Sequence, residues 1–172
     1  IVNIVRKIYK TKKVGHAGTL DPNATGVLPI AIGSATKLVD YIQTMGKSYI
    51  GEMTLGINTD TLDIWGKSIE SKEISLDKNK FFEVIKKYDN KNIMQLPPMY
   101  SALKKDGKRL YEYARAGIEV EREEREVEIY SLIILNFYEN KIRFEVSCSK
   151  GTYIRTLFND IASDTNNLSY MS

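Results

Sequence analysis

The sequence predicts an α+β fold, a mostly antiparallel mixed sheet flanked by helices. Three observations carry this. Strand-like and helical segments are interspersed without the strict strand–helix–strand alternation that a parallel sheet requires. Two long strand-like runs, 127–137 and 141–149, are separated only by Tyr138-Glu139-Asn140, which makes them neighbours in one hairpin. With 172 residues, 42% hydrophobic and 27% charged, the chain can build one compact core, and a single domain is expected over 1–172.

The elements follow in order. Residues 1–10 carry Ile1, Val5 and Ile8 at helical spacing. Residues 15–29 hold three glycines, two prolines, the only histidine and Asp21, and read as a shaped loop. Within it Pro22 biases Asp21 towards an extended backbone and a stiff turn. The apolar run 27–32 reads as a buried strand. Residues 34–44 read as a helix with Ser34 as N-cap and Leu38, Tyr41 and Ile42 on one face. Residues 47–55 alternate, with Tyr49, Gly51, Met53 and Leu55 on one side of a strand. A polar loop is expected over 56–66, a strand over 67–74, and a helix over 76–88 with Phe81, Ile85 and Tyr88 inward. Gln95-Leu96-Pro97-Pro98 breaks the chain. Lys105-Asp106-Gly107-Lys108 signals a turn, followed by a short helix, 109–116, that Gly117 ends. The last helix spans 152–162, with Ile154, Leu157, Phe158 and Ile161 inward. The stretch 97–120 is long for a connector and carries its own turn and helix, so it reads as an inserted lobe.

Composition removes several chemistries. One cysteine and one histidine do not supply the usual ligands of a zinc site, and no disulfide can form within the chain, which fits a reducing cytoplasm. Cys148 lies in a strand-like run and reads as a buried, inert thiol. No apolar run reaches the ~20 residues of a membrane helix. Absence of an initial Met and a polar ending lead to the expectation that this is a piece of a longer protein. Net charge is only +3, but residues 1–50 carry seven basic against two acidic residues, 104–115 five against two, and 119–128 two against six. Basic segments beside an acidic one suit a protein that meets phosphate on one face, and equally a solvated surface.

Four constellations carry candidate chemistry. Asp21 is either a reactive carboxylate or a turn residue bonded to its own backbone. His16, five residues earlier, either touches a substrate or makes one structural hydrogen bond. Asp60 and Asp63 lie in a polar loop too poor in oxygen ligands for a cation site, so turn and capping roles are expected. Residues 97–115 interleave Tyr100, Tyr111 and Tyr113 with Lys104, Lys105, Lys108, Arg109 and Arg115, a pattern that offers cations to phosphates and rings to bases. Lys150, Gly151 and Arg155 sit where a strand gives way to a helix, without the spacing of a nucleotide-binding loop.

Taken in order, four stretches resemble the TruB family of tRNA pseudouridine synthases. They are His-x-Gly-x-Leu-Asp-Pro-x-Ala-Thr-Gly at 16–26, Lys-x-Tyr through Thr-Asp-Thr-x-Asp-x-x-Gly at 47–66, Pro-x-Tyr-Ser-Ala-x-Lys through Tyr-x-x-Ala-Arg at 98–115, and Cys-Ser-Lys-Gly-Thr-Tyr-Ile-Arg at 148–155. The resemblance implies a pseudouridine-synthase-like fold that isomerises a uridine in the T loop of tRNA (position 55) after base flipping. It implies Asp21 as the catalytic aspartate, His16 as an aid to nucleotide extraction, Tyr49 as the stacking partner of the flipped base, and Asp63, Tyr153 and Arg155 as active-site residues. It further implies that 97–120 is the RNA-gripping thumb, with Tyr100, Lys104, Lys108, Arg109 and Arg115 facing RNA. The family's opening strand and its C-terminal PUA-type tail have no counterpart in these residues.

The implied reaction breaks the C1′–N1 bond, turns the uracil and rejoins it through C5. It is redox-neutral, so no cofactor and no metal are expected. An ionised carboxylate near the sugar serves either as nucleophile at C1′ or as base towards a sugar proton, and the sequence leaves both open. Arg155 is expected to pair with Asp21 and hold it in place. A cytoplasmic monomer is expected, with tRNA as partner and no membrane. The alternative is a non-catalytic tRNA-binding or RNA-folding module.

Overall fold

A computed structural model describes residues 1–21 and 24–172; Pro22 and Asn23, and with them the expectation of a Pro22-stiffened turn, lie outside the described residues. The chain divides into two compact units, Ile1–Gly46 and Lys47–Ser172.

The first unit contains α1 (Val2–Ile8), β1 (Val14–His16), β2 (Ile30–Ile32), a 3-10 segment (Gly33–Leu38) and α2 (Val39–Thr44). β1 and β2 pair antiparallel, with Val14 opposite Ile32 and His16 opposite Ile30. Two expectations are corrected here. The strand begins only at Ile30, and Val27 is 88% exposed, because Pro29 cannot donate to a ladder. Ser34 caps nothing: it lies inside the 3-10 segment, whose first turn is closed by the Thr36 hydroxyl donating to the Gly33 carbonyl at 2.8 Å.

The second unit is built on five antiparallel strands: β3 (Lys47–Leu55), β6 (Lys91–Gln95), β9 (Arg125–Tyr138), β10 (Lys141–Cys148) and β11 (Ser169–Met171), in the order β11-β3-β10-β9-β6. Around it lie β4 (Ile57–Thr59) paired with β5 (Ser68–Ser71), α3 (Lys78–Ile85), the hairpin β7 (Lys104–Lys105) and β8 (Lys108–Arg109), α4 (Leu110–Arg115) and α5 (Ile154–Asp164). The expected polar loop 56–66 therefore contains a strand, β4.

β9 shows how an imperfectly alternating sequence makes a strand. Its inward residues are Val127, Ile129, Leu132, Ile134 and Phe137, so the period slips from two to three twice. The register against β10 shifts at the same two places, leaving Tyr130 and Leu135 as extra, exposed residues. Each bulge resets the phase and keeps the apolar side chains on one face. That face packs with Phe81, Val84 and Ile85 of α3 and with Leu157, Phe158 and Ile161 of α5, all buried. Gly51 of β3 lets α5 settle: a Cβ there would lie 2.9 Å from the Phe158 ring. The Phe158 ring in turn stacks tilted against Phe144 at 5.0 Å between centroids. No helix among the described residues is long and apolar enough to cross a membrane.

Candidate active site

The loop bearing Asp21 is an excursion between two paired strands. Its base is clamped by the β1–β2 ladder and by the Ala17 N–H donating to the Pro29 carbonyl at 3.0 Å. Inside the loop the His16 ring Nδ1 meets the Gly18 carbonyl, and the Ala24 N–H donates to the Asp21 carbonyl at 3.0 Å. His16 is half-buried at the foot of the loop; Asp21 is exposed. The ladder fixes where the loop starts and ends, so ordering it costs less than ordering a free segment of the same length.

In the second unit the turn Ser149-Lys150-Gly151-Thr152 carries the chain from β10 into α5. Gly151 adopts φ +83°, where a side chain would strain, and the Thr152 hydroxyl closes the turn on the Ser149 carbonyl at 3.0 Å. Tyr153 then stands at the N-cap of α5, and Arg155 in its first turn.

The Arg155 guanidinium is 7% exposed and joins three segments. Nη1 donates to the Thr61 carbonyl at 2.9 Å and to Asp63 Oδ2 at 3.1 Å, and Nη2 donates to the Tyr100 carbonyl at 3.0 Å. Asp63 is anchored in return. Its Oδ1 accepts from the Thr61 hydroxyl at 2.7 Å and from the Trp65 N–H at 3.0 Å. The backbone around it is pinned to β11, with Met171 N–H donating to the Leu62 carbonyl at 3.0 Å and Ile64 N–H to the Met171 carbonyl at 2.9 Å. A buried cation with a charged acceptor and two carbonyls is well compensated, and its planar fork holds all three fixed. Asp60, by contrast, accepts the Lys67 N–H at 2.8 Å, a turn role.

Tyr49 sits on the inward face of β3, half-buried and packed against the core. Cys148 is fully buried, and burial pushes its thiol pKa up, as suits an inert residue.

The insertion is a hairpin followed by a helix. Asp106 and Gly107 both adopt positive φ, at +51° and +81°, the mirror-image turn that suits a two-residue hairpin. The Arg109 and Arg115 guanidinium groups lie 5.8 and 5.2 Å from the Tyr111 ring, and the Lys108 ammonium lies 6.0 Å from Tyr113. Lys104, Lys108, Arg109 and Arg115 are all exposed. The two ends of the insertion are tied by Arg122 Nη1 donating to the Pro97 carbonyl at 3.0 Å. Tyr100, expected to face RNA, lies at its root and gives its carbonyl to Arg155.

The structure thus brings Asp63, Arg155 and Tyr100 into direct contact, sets Tyr153 two residues from Arg155, and places Lys108, Arg109 and Arg115 around two rings of the insertion. One residue of this region escaped sequence reasoning. Gln95, 2% exposed, holds the backbone of Tyr153 with both ends of its carboxamide. Its only sequence signal is a polar residue closing a strand before two prolines.

Comparison with known proteins gives a consistent result. The family described as TruB family pseudouridylate synthase (N terminal domain) matches residues 6–154. A protein of Clostridium kluyveri named tRNA pseudouridine synthase B is 49% identical over 166 residues, covering 96% of this chain and 57% of its own length. Its namesake in Listeria monocytogenes is 52% identical over 160 residues, covering 89% and 52%. Among solved structures, the crystal structure of a Cbf5-Nop10-Gar1 complex contains a chain 29% identical with TM-score 0.74, covering 99% of this chain and 41% of that one. An H/ACA RNP bound to a substrate RNA containing 2′-deoxyuridine contains one 25% identical with TM-score 0.68, covering 99% and 40%. The chain spans just over half the length of the curated relatives it matches. A family match over most of its residues, with relatives near half identical throughout, makes this chain a member of the TruB family of pseudouridylate synthases.

Proposed function

We propose that this chain is the catalytic part of a tRNA pseudouridine synthase that converts a uridine of the T loop (position 55) to pseudouridine. The observation that carries the reading is the Asp21 loop: an exposed residue on a segment clamped at its base, in a chain whose relatives are named tRNA pseudouridine synthase B. Asp21 acts on the ribose, as nucleophile at C1′ or as base towards the C2′ proton. The C1′–N1 bond breaks, the uracil turns over and C5 joins C1′, with the Asp21–C1′ bond broken in the first route or the proton returned to C2′ in the second; the proton lost from C5 is balanced by one gained at N1. A duplex-buried or stacked uridine must leave its stack first, at a cost of a few kcal/mol. Stacking on Tyr49, worth roughly 1–3 kcal/mol, offsets much of this. His16 assists extraction. Arg155, Asp63 and Tyr153 are assigned as active-site residues, and Arg155 and Asp63 are held to each other at 3.1 Å. Lys104, Lys108, Arg109 and Arg115 of the thumb grip phosphates, which makes affinity fall steeply with salt. The reaction is redox-neutral, so the proposal calls for no cofactor or metal, and it calls for one copy of the chain.

The test uses an unmodified T-stem-loop RNA and mass-spectrometric detection of pseudouridine, with the full-length protein. Asp21→Asn is expected to bind the RNA within about twofold of the parent and to yield no product. Pseudouridine from Asp21→Asn sinks the catalytic assignment, and a parent protein that binds the RNA without converting it favours the RNA-folding alternative.

A further inference from the structure

Tyr153 has an extended backbone, φ −98° and ψ 105°, so its N–H and C=O point to the same side. In a sheet a neighbouring strand would satisfy both. Here β6 ends at Gln95, and the following Pro97 and Pro98 have no N–H to offer. The Gln95 side chain fills that place: its Nε2 donates to the Tyr153 carbonyl at 3.1 Å and its Oε1 accepts the Tyr153 N–H at 2.8 Å. The carboxamide is the neutral side-chain group that carries a donor and an acceptor side by side at peptide spacing. At 2% exposure the Gln95 side chain is closed off from bulk solvent.

The contact closes a ring of links. From Gln95 it runs to the Tyr153 backbone, along the first turn of α5 to Arg155, across to the Tyr100 carbonyl, and back through Pro98 and Pro97 to Gln95. Two bonds set the height and rotation of the α5 N-terminus, and with it the Tyr153 ring and the Arg155 guanidinium, against the root of the insertion. We propose that Gln95 is a positioning residue for the isomerisation: it places Tyr153 and Arg155 for the chemical step and contributes nothing to RNA affinity. The proposal rests on the function proposed above.

The test measures single-turnover conversion of the T-stem-loop RNA by full-length protein from about pH 6 to about pH 8.5, for the parent, Gln95→Met and Gln95→Glu, with RNA binding measured alongside. Gln95→Met keeps the length of the side chain and loses both bonds; a displacement near 1 Å is expected to lower the rate roughly 10- to 100-fold, with the dissociation constant for RNA within about twofold. Gln95→Glu separates positioning from packing. Ionised, the introduced carboxylate opposes the Tyr153 carbonyl; protonated, it again offers one donor and one acceptor. Its rate relative to the parent is therefore expected to rise about tenfold as the pH falls, which a role in stability alone would not produce. Equal rates for Gln95→Met and the parent, or a Gln95→Glu ratio that ignores pH, overturn the proposal. Amide hydrogen exchange at Tyr153 gives a readout independent of activity. Slow exchange in the parent and fast exchange in Gln95→Met support the clamp; fast exchange in the parent overturns it. A parent that makes no pseudouridine, with the exchange result intact, instead places the failure in the proposed function.

Discussion

Asp63→Asn keeps the shape of the side chain and removes its charge, leaving the Arg155 guanidinium in its buried position with one weaker acceptor. The magnitude follows from the geometry. Removing one partner of a fully buried ion pair costs about 3–5 kcal/mol. Asp63 is 17% exposed at its side chain, and Arg155 keeps the Thr61 and Tyr100 carbonyls. Both facts lower the cost, to about 2 kcal/mol. Arg155→Met removes the cation and strands Asp63 with two neutral donors, at a similar cost. If the 3.1 Å contact matters energetically, the two changes together should cost less than their sum, with a coupling of about 1–2 kcal/mol. Urea unfolding of the parent, both single variants and the double variant measures this. Because the pair is buried, the coupling should change little between low and moderate salt. Strict additivity of the two substitutions would refute the idea that Asp63 and Arg155 act as one unit, and a coupling that vanishes in moderate salt would show a solvated pair.

Gly51→Ala places a methyl 2.9 Å from the Phe158 ring, which the Phe144 ring backs at 5.0 Å. A destabilisation of about 1–3 kcal/mol is expected by thermal or urea unfolding, and an unchanged midpoint would mean that α5 slides freely over β3. Asp160 has its pKa pushed up to about 6, by burial first and then by Asp164 and Glu124. Its folded pKa lies above its unfolded value of 3.8, so the stability it contributes is full below pH 3.8 and is lost as the pH rises through about 6. After allowance for its partial exposure, Asp160→Asn should stabilise the protein by about 1–2 kcal/mol at pH 7. The gain should disappear near pH 4, and a gain equal at both pH values would remove burial of charge as its cause.

The long elements were legible because each carries its own periodicity. β3 runs over Lys47–Leu55, the bounds that alternation predicts, and β10 and α5 fall within one or two residues of theirs. The short strands were not legible. β1, β4, β6 and β11 are three to five residues long, and several are polar; Lys91-Asn92 in β6 and Ser169-Tyr170 in β11 carry no apolar alternation. β6 and β11 are strands because β9 and β3 present ladder groups to them, and β1 and β4 because β2 and β5 do, which is tertiary context rather than propensity. The motifs named Asp63 and Arg155 separately, but they stand 92 positions apart, and nothing local in either segment says that they meet. The expected exposed role for the Tyr100 segment missed that its backbone serves Arg155, since backbone carbonyls leave no mark in a sequence.

A common device underlies the site's supports. Asn167, 5% exposed, donates to the Ser75 carbonyl at 2.9 Å and accepts the Ser75 N–H at 2.9 Å, the same two-bond grip that Gln95 applies to Tyr153. Asn167 lies just before β11, whose Met171 pins the Asp63 loop on its other side. Both carboxamides thus act as single-residue strands where the chain cannot supply a real one. A loop satisfied only by water would sample several positions. The Tyr153 and Ser75 backbone groups are satisfied within the protein, so the cost of ordering them is met on folding rather than on binding a ligand. A site built this way can hold a buried guanidinium and an extended N-cap in fixed relation without a long strand beneath either. On the proposed function, a substitution loosening either grip should slow chemistry before it weakens RNA binding, because the cations proposed to meet phosphate stand on a hairpin and helix that neither carboxamide touches.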